Sequence, residues 1–414
     1  MTTPRIVIIG GGLAAATAAE RLRDEGYDGD VMVIGSERHV PYLRPPLSKE
    51  YLNEPAKEPV ETYVHPWDWY HQHDVHVLTG TLAVELDLVD NRVILDESSS
   101  VGFDKALIAT GAKPRVLRVP GAEAAGVHYL RTLDDSEELR DALREGGRKV
   151  VILGTGWIGM EVAAAARGYG NDVTVVGRAA VPLSSAVGPE VGAIYGQLHR
   201  QHGVQFRLQR DIRELVVADR PGGPVVTGVA TSNDGEVIPA DIVVVGLGAV
   251  PNTEIAEDAG LEVSGGVLAS ASLLTSHPLV YAAGDVANPI HSVLGRRLRS
   301  EHWANAISTG RTAALAMLGR EAVNDDVPYF YSDQFDVGME YAGYVPLAAD
   351  TQPVFRGDVE SREFIAFWLE GGRVVAGMNV NVWDVSDDIQ TLIRSGRTVD
   401  LGRLTDPDVP ILEA

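Results

Sequence analysis

Residues 5–9 (RIVII) are an unbroken apolar run, the pattern of a parallel strand buried on both faces. Three glycines follow at 10–12. Leu13 to Arg23 then predicts a helix, and Asp30 to Ile34 the next strand. The unit recurs later in the chain. Lys149–Leu153 predicts a strand, Gly154 to Gly159 a turn, Met160–Tyr169 a helix and Asp172–Val176 a strand. The two turns start 144 residues apart, so one architectural unit is used twice. Three further strands end in glycine-rich corners: Ala106–Ala109 before Thr110-Gly111, Ile242–Val245 before Gly246-Leu247-Gly248, and Val280–Ala283 before Gly284-Asp285. The tail changes character. Phe364–Leu369 and Val374–Met378 flank Gly371-Gly372 as a hairpin, and Ser386 is expected to cap a short helix ending at Gly396. The expected fold class is α/β, with two Rossmann-like dinucleotide-binding domains and a C-terminal α+β domain. The expected boundaries are 1–113 with 247–325, then 114–246, then 326–414.

Length and composition agree with several ordinary globular domains: 414 residues, 45% apolar and 22% charged. The net charge of −23 argues against nucleic acid and against an anionic membrane surface as partners. No run reaches 18 apolar residues, so no membrane span is expected. Arg5 with Ile6 to Ala19 imitates a signal peptide. Three consecutive glycines suit a phosphate-binding turn far better than an apolar signal helix, and the cytoplasm is the expected location. With no cysteine, dithiol chemistry, thiolate metal ligation and iron–sulfur ligation on this chain are all excluded.

The first turn reads Gly10-Gly11-Gly12-Leu13-Ala14-Ala15. Gly10 permits the tight turn, Gly12 lets backbone approach a pyrophosphate, and the small Ala15 lets helix meet strand. The phosphates would sit at a helix N-terminus, where N–H groups and the dipole favour negative charge. Glu37 follows 22 residues after Ala15, placed to accept ribose hydroxyls. The second turn, Gly154-Thr155-Gly156-Trp157-Ile158-Gly159, carries all three glycines, but Gly177-Arg178 stands where an acid would be expected. A 2′-phosphate would not be repelled there and could pair with Arg178, which favours NADPH over NADH. Two nucleotide folds suggest two dinucleotides, and a flavin with a nicotinamide meets the needs of hydride transfer.

In chain order these turns occur with Pro41-Tyr42-Leu43-Arg44-Pro45-Pro46-Leu47-Ser48-Lys49, the Ala109-Thr110-Gly111 corner, Gly284-Asp285, Glu301-His302-Trp303-Ala304-Asn305-Ala306 and Phe330-Tyr331-Ser332-Asp333-Gln334. The chain thereby resembles the FAD-containing ferredoxin reductases of bacterial oxygenase systems, which share the architecture of glutathione reductase. The resemblance implies that residues 1–113 and 247–325 bind FAD and that 114–246 bind NADPH or NADH. Gly10, Gly12 and Ala15 would hold the FAD pyrophosphate, and Glu37 its ribose. Arg44, Lys49 and Arg131 would line the flavin, Asp285 would accept from its ribityl chain, and Trp303 would abut its ring. Gly156, Ile158, Glu161 and Gly248 would surround the nicotinamide nucleotide. Lys49 and Glu161 could pair and, with Trp303, are the candidate catalytic residues. Tyr329 and Tyr331 stand where the family often has tryptophan.

The implied activity passes electrons from NAD(P)H through FAD to a 2Fe–2S ferredoxin that serves an oxygenase. Two alternatives remain open, a redox-gated binding protein like the apoptosis-inducing flavoproteins and a flavin oxidase. A ferredoxin of this type is acidic, so docking needs a basic patch. Residues 287–320 offer Arg296, Arg297, Arg299, Arg311 and Arg320 against the single acid Glu301. His65, His71, His73 and His76 lie across a helix end and a strand, so no single face collects them and solvated side chains are expected rather than a metal site. No hydrolase constellation is present. A monomer or a homodimer is expected.

Overall fold

The computed structural model describes residues 3–96, 99–232, 235–348 and 351–414. From the N-terminus the chain runs β1 (Arg5–Ile9), α1 (Leu13–Asp24), β2 (Asp30–Ile34), α2 (Trp67–Gln72), β3 (Val75–Leu78) and β4 (Lys105–Ile108). It continues through β5 (Val127–His128), α3 (Leu133–Leu143), β6 (Lys149–Leu153), α4 (Trp157–Gly168), β7 (Asp172–Gly177), α5 (Ser184–Gln201), β8 (Gln205–Leu208) and β9 (Ile242–Val245). Then come β10 (Val280–Ala282), β11 (Ala287–His291), β12 (Arg296–Arg297), α6 (Trp303–Met317), β13 (Tyr329–Gln334) and β14 (Val337–Gly343). β15 (Val354–Asp358), β16 (Glu363–Glu370), β17 (Arg373–Val380) and α7 (Ser386–Ser395) follow, and a short helix Leu401–Thr405 comes after them.

The chain divides into two compact units. The first comprises Met1–Arg44, Glu58–Lys113 and Ala249–Pro328, and the second Pro45–Lys57, Pro114–Gly248 and Tyr329–Ala414. The first unit is built on a five-stranded sheet of order β10-β4-β1-β2-β3, parallel throughout. In β1 all residues after Arg5 are buried, which is why the run is apolar on both faces. Helices α1 and α6 pack on one side of it. Their approach is close, because a β-carbon on Gly310 would lie 2.6 Å from the Ala14 carbonyl oxygen.

The second unit repeats the plan with order β8-β7-β6-β9-β5, again parallel. It also holds the antiparallel C-terminal sheet, β13-β14-β17-β16-β15, with the expected hairpin at β16 and β17. Both sheets of this unit share one apolar core, in which Val150, Ile152 and Met160 cluster with Met339, Phe364 and Trp368.

Two local expectations are corrected. Ser386 is the first helical residue of α7 and not its cap; Val385 holds the cap position, and Gly396 ends the helix with φ of +57°. Helix α4 starts at Trp157 and not at Met160, because Gly159 is itself helical: a β-carbon there would sit 2.5 Å from the Gly154 carbonyl oxygen.

Candidate functional site: two nucleotide cradles and a buried charge pair

In the first unit the turn between β1 and α1 has Gly10 at φ of +125°. A β-carbon on Gly10 would fall 2.1 Å from the Ala109 carbonyl oxygen, so only glycine fits against the Ala109-Thr110-Gly111 corner. Gly12 is the N-cap of α1 and offers no side-chain cap, and a β-carbon there would meet nothing within 4 Å. Ala15 is fully buried. The result is a twelve-residue helix whose start is open in front of glycine backbone. A dinucleotide pyrophosphate fits such a cradle.

Of the other residues expected at the FAD site, Glu37, Arg44, Asp285 and Trp303 lie in this unit, and Lys49 and Arg131 in the second. The Glu37 carboxylate accepts from the Tyr42 hydroxyl and pairs with Arg44, Nη2 to Oε1 2.6 Å. The Arg44 guanidinium lies over the Tyr42 ring, 5.0 Å from its centroid, and feels the charge of Asp285. Asp285 sits in the single turn Gly284–Val286 directly after β10, with the Gly284 N–H bonded to Thr309 Oγ1 of α6 at 2.9 Å. Trp303 is the first residue of α6 and half-buried.

In the second unit the equivalent turn repeats this geometry. Gly154 has φ of +122°, and a β-carbon on it would lie 2.1 Å from the Gly246 carbonyl oxygen. Gly156 is the uncapped N-cap of α4 with open space before it. Ile158 projects outward at 45% exposure, and Gly248 takes φ of +92°. Trp157 packs edge-on against Tyr195 and Phe330. Arg178 is exposed and paired with Asp211. Arg131 precedes the capping box of α3, its N–H donating to Asp135 Oδ2 at 3.0 Å.

Lys49 and Glu161 do pair. Both are buried, and Lys49 Nζ lies 2.9 Å from Glu161 Oε1. Lys49 Nζ also stands 5.3 Å from the centroid of the Tyr331 ring. Burial, together with the nearby Glu50, Asp333 and Glu161 charges, pushes the Tyr331 hydroxyl up to about 12, so it stays protonated at neutral pH. Tyr329 instead donates to Glu340 Oε1 at 2.6 Å.

Four partners of Glu161 or of its neighbours escape sequence reasoning. Ser48 Oγ donates to Glu161 Oε2, and Ser332 Oγ to Oε1 at 2.6 Å. Gln334 Nε2 donates to Ser332 Oγ at 3.0 Å. The His199 Nε2 atom lies 2.8 Å from Gln334 Oε1. Ser332 and Gln334 alternate on one face of β13, a period-two signal that was available in the Phe330–Gln334 motif.

The five arginines expected to dock a partner do not behave alike. Arg320 pairs with Glu25, and Arg299 with Glu301. Arg297 is spent on the Ala269 and Asn288 carbonyls. Arg296 on β12 and Arg311 on α6 are exposed. The histidine cluster is similarly divided. His65 stacks on Trp69 near Glu20, His73 also stacks on Trp69, His71 faces Trp67 and His76 lies 3.5 Å from Asp30. Among the described residues no group of three or more could hold a metal ion, and no helix is long and apolar enough to cross a membrane.

The chain resembles known proteins over nearly all of its length. Residues 4–310 match the family model described as pyridine nucleotide-disulphide oxidoreductase, and residues 329–414 the model described as reductase C-terminal. Rhodocoxin reductase of Rhodococcus erythropolis is 38% identical, over 91% of this chain and 86% of that one. The ferredoxin–NAD(+) reductase component of the anthranilate 1,2-dioxygenase system of Burkholderia cepacia is 36% identical, over 99% and 98%. The reductase in the crystal structure of the covalent putidaredoxin reductase–putidaredoxin complex superposes with a TM-score of 0.94 at 32% identity, over 100% and 98% of the two chains.

Proposed function

The chain belongs to the pyridine nucleotide-disulphide oxidoreductase family, and from that premise we propose that it carries electrons from NAD(P)H through FAD to a 2Fe–2S ferredoxin serving an oxygenase. The overall reaction oxidises one NAD(P)H to NAD(P)⁺ and a proton while reducing two ferredoxins by one electron each. The observation that carries this reading is the pair of uncapped, glycine-led helix starts in two like sheets, on a chain with no cysteine. Two such starts suit two dinucleotides. Without a thiol the chain cannot follow its disulfide-reducing relatives in passing electrons to a cysteine pair, so they leave to an outside acceptor.

FAD, when bound, supplies the chemistry that accepts a hydride and releases electrons singly. The protein binds, orients and tunes. Gly10, Gly12 and Ala15 receive the FAD pyrophosphate, Glu37 serves its adenosine ribose, and Arg44, Asp285 and Trp303 its flavin half. Gly154, Gly156, Ile158, Gly159 and Gly248 take the nicotinamide dinucleotide. Lys49, held by Glu161, keeps a fixed positive charge where negative charge develops. Arg131 adds a second cation. Gly177 leaves room for a 2′-phosphate and Arg178 offers it a charge, so NADPH is favoured over NADH. Exposed Arg296 and Arg311 steer an acidic ferredoxin.

The test is steady-state oxidation of NADPH and of NADH by FAD-loaded protein, with cytochrome c as the final sink. Cytochrome c reduction should depend on added 2Fe–2S ferredoxin. Rates unchanged by any of several ferredoxins would overturn the reading, and oxygen consumption at the full rate without an acceptor would replace it with an oxidase.

A further inference from the structure

We propose that His199, Gln334 and Ser332 form a one-directional hydrogen-bond chain that positions the Glu161 carboxylate and, through it, Lys49, so that the C-terminal module governs the charge pair. This deepens the reductase reading and rests on it. The Phe330–Gln334 motif otherwise has no assigned role.

The direction of the chain follows from chemistry. Gln334 Nε2 donates to Ser332 Oγ, so its Oε1 is left as an acceptor. The His199 Nε2 atom 2.8 Å from that oxygen must then carry the hydrogen. His199 Nδ1 is buried and has no hydrogen-bond partner among the described residues. Neutral imidazole protonated on Nε2 is the one form that fits. Ser332 Oγ has accepted from Gln334, so its own hydrogen is directed to Glu161 Oε1. Ser48 adds a hydrogen to Oε2, and Lys49 another to Oε1.

Every hydrogen in the chain therefore points toward Glu161. Three donors converge on its carboxylate. The chain joins α5, β13, α4 and the segment that carries Ser48 and Lys49. His199, Ser332, Gln334 and Glu161 are each at most 3% exposed, so solvent does not substitute for a lost donor. A packing contact alone would be served better by apolar side chains. These residues are positioning groups, and Lys49 is the group they position.

The experiment compares wild type, Ser332→Ala, Ser332→Thr, Gln334→Met and Lys49→Ala as FAD-loaded proteins. Flavin reduction by NADPH is followed by stopped flow, together with thermal midpoints and ¹⁵N NMR of the His199 imidazole. Ser332→Ala and Gln334→Met should slow reduction between about ten- and a hundredfold with KM little changed, the scale set by small misplacements of a reacting group. Ser332→Thr keeps the hydroxyl and should restore the rate. The imidazole should be protonated on Nε2 in wild type and lose that preference in Gln334→Met. A lowered melting temperature with wild-type rate in Ser332→Ala would reduce the chain to packing and overturn the proposal alone. Unchanged reduction in Lys49→Ala, or no NADPH-driven reduction in wild type, would instead overturn the reading on which it rests.

Discussion

The methyl group of Thr155 occupies the space that a β-carbon on Gly177 would take, since the two carbons would lie 2.5 Å apart. The first unit has the same crowding. Gly11 faces Gly35 there, and a β-carbon on either would come within 3.2 Å of the other's Cα. By strand register the two pairs are equivalent, because Ile9 aligns with Ile34 and Leu153 with Val176, one residue before Gly35 and Gly177. Where the glycine turn crosses the end of the neighbouring strand, the pair has little room for side chains. Thr155 thus restricts what can stand at position 177.

This sets the behaviour of a coenzyme switch. Gly177→Glu alone collides with Thr155, and overpacking of this kind costs about 1–3 kcal/mol. The single variant should melt lower and use both coenzymes poorly. Thr155→Gly with Gly177→Glu and Arg178→Ala relieves the collision, installs a carboxylate for the ribose hydroxyls and removes the cation. The ratio of kcat/KM for NADH over NADPH should rise in that triple variant above the ratio in wild type and in Gly177→Glu alone. An unchanged ratio would show that another loop reads the 2′ position.

How far such details were legible depends on whether the physics is local. The runs 5–9, 149–153 and 242–245 announce themselves because a strand buried on both faces has no polar position to break the pattern. Glycines with positive φ are equally legible, since few other residues adopt that backbone. The start of α4 was not, because Gly159 reads as turn yet is helical for a tertiary reason. The donors to Glu161 were hidden by distance along the chain: Ser332 is 171 residues away from it, and Ser48 113. Charge counted along residues 287–320 suggested a patch, but acids from elsewhere, such as Glu25, take up part of it.

The surviving basic positions carry a prediction about the partner. Arg296 and Arg311 are exposed, and reversing their charge disturbs no interior contact. Arg296→Glu with Arg311→Glu should raise the KM for an acidic 2Fe–2S ferredoxin by roughly tenfold at low salt, through loss of steering. The rate at saturating ferredoxin and the rate of flavin reduction by NADPH should hold. The difference between variant and wild type should shrink as salt is added, because charges at an exposed rim are screened within about 10 Å at 0.1 M. A KM that does not respond to the reversal at any ionic strength would move the docking surface to another face.

Acid should weaken the fold through His199. Burial holds its imidazole down at about 4, from an ordinary 6.5, while the bond to Gln334 works in the opposite direction. The neutral ring is therefore the form the fold stabilises. That contribution is fully present above the unfolded value and is lost as pH falls from 6.5 towards 4. Throughout this window the unfolded chain holds the extra proton, so stability must drop on acidification. Between pH 7 and pH 5 the loss due to this one group is about 2 kcal/mol. His199→Leu removes the titrating ring, so the variant starts from a lower stability but should lose about 2 kcal/mol less than wild type over the same interval. Urea unfolding at the two pH values measures the difference directly. Parallel losses in the two proteins would mean that the imidazole takes up its proton within the folded state near its ordinary pH, and that the pocket around His199 admits the charge.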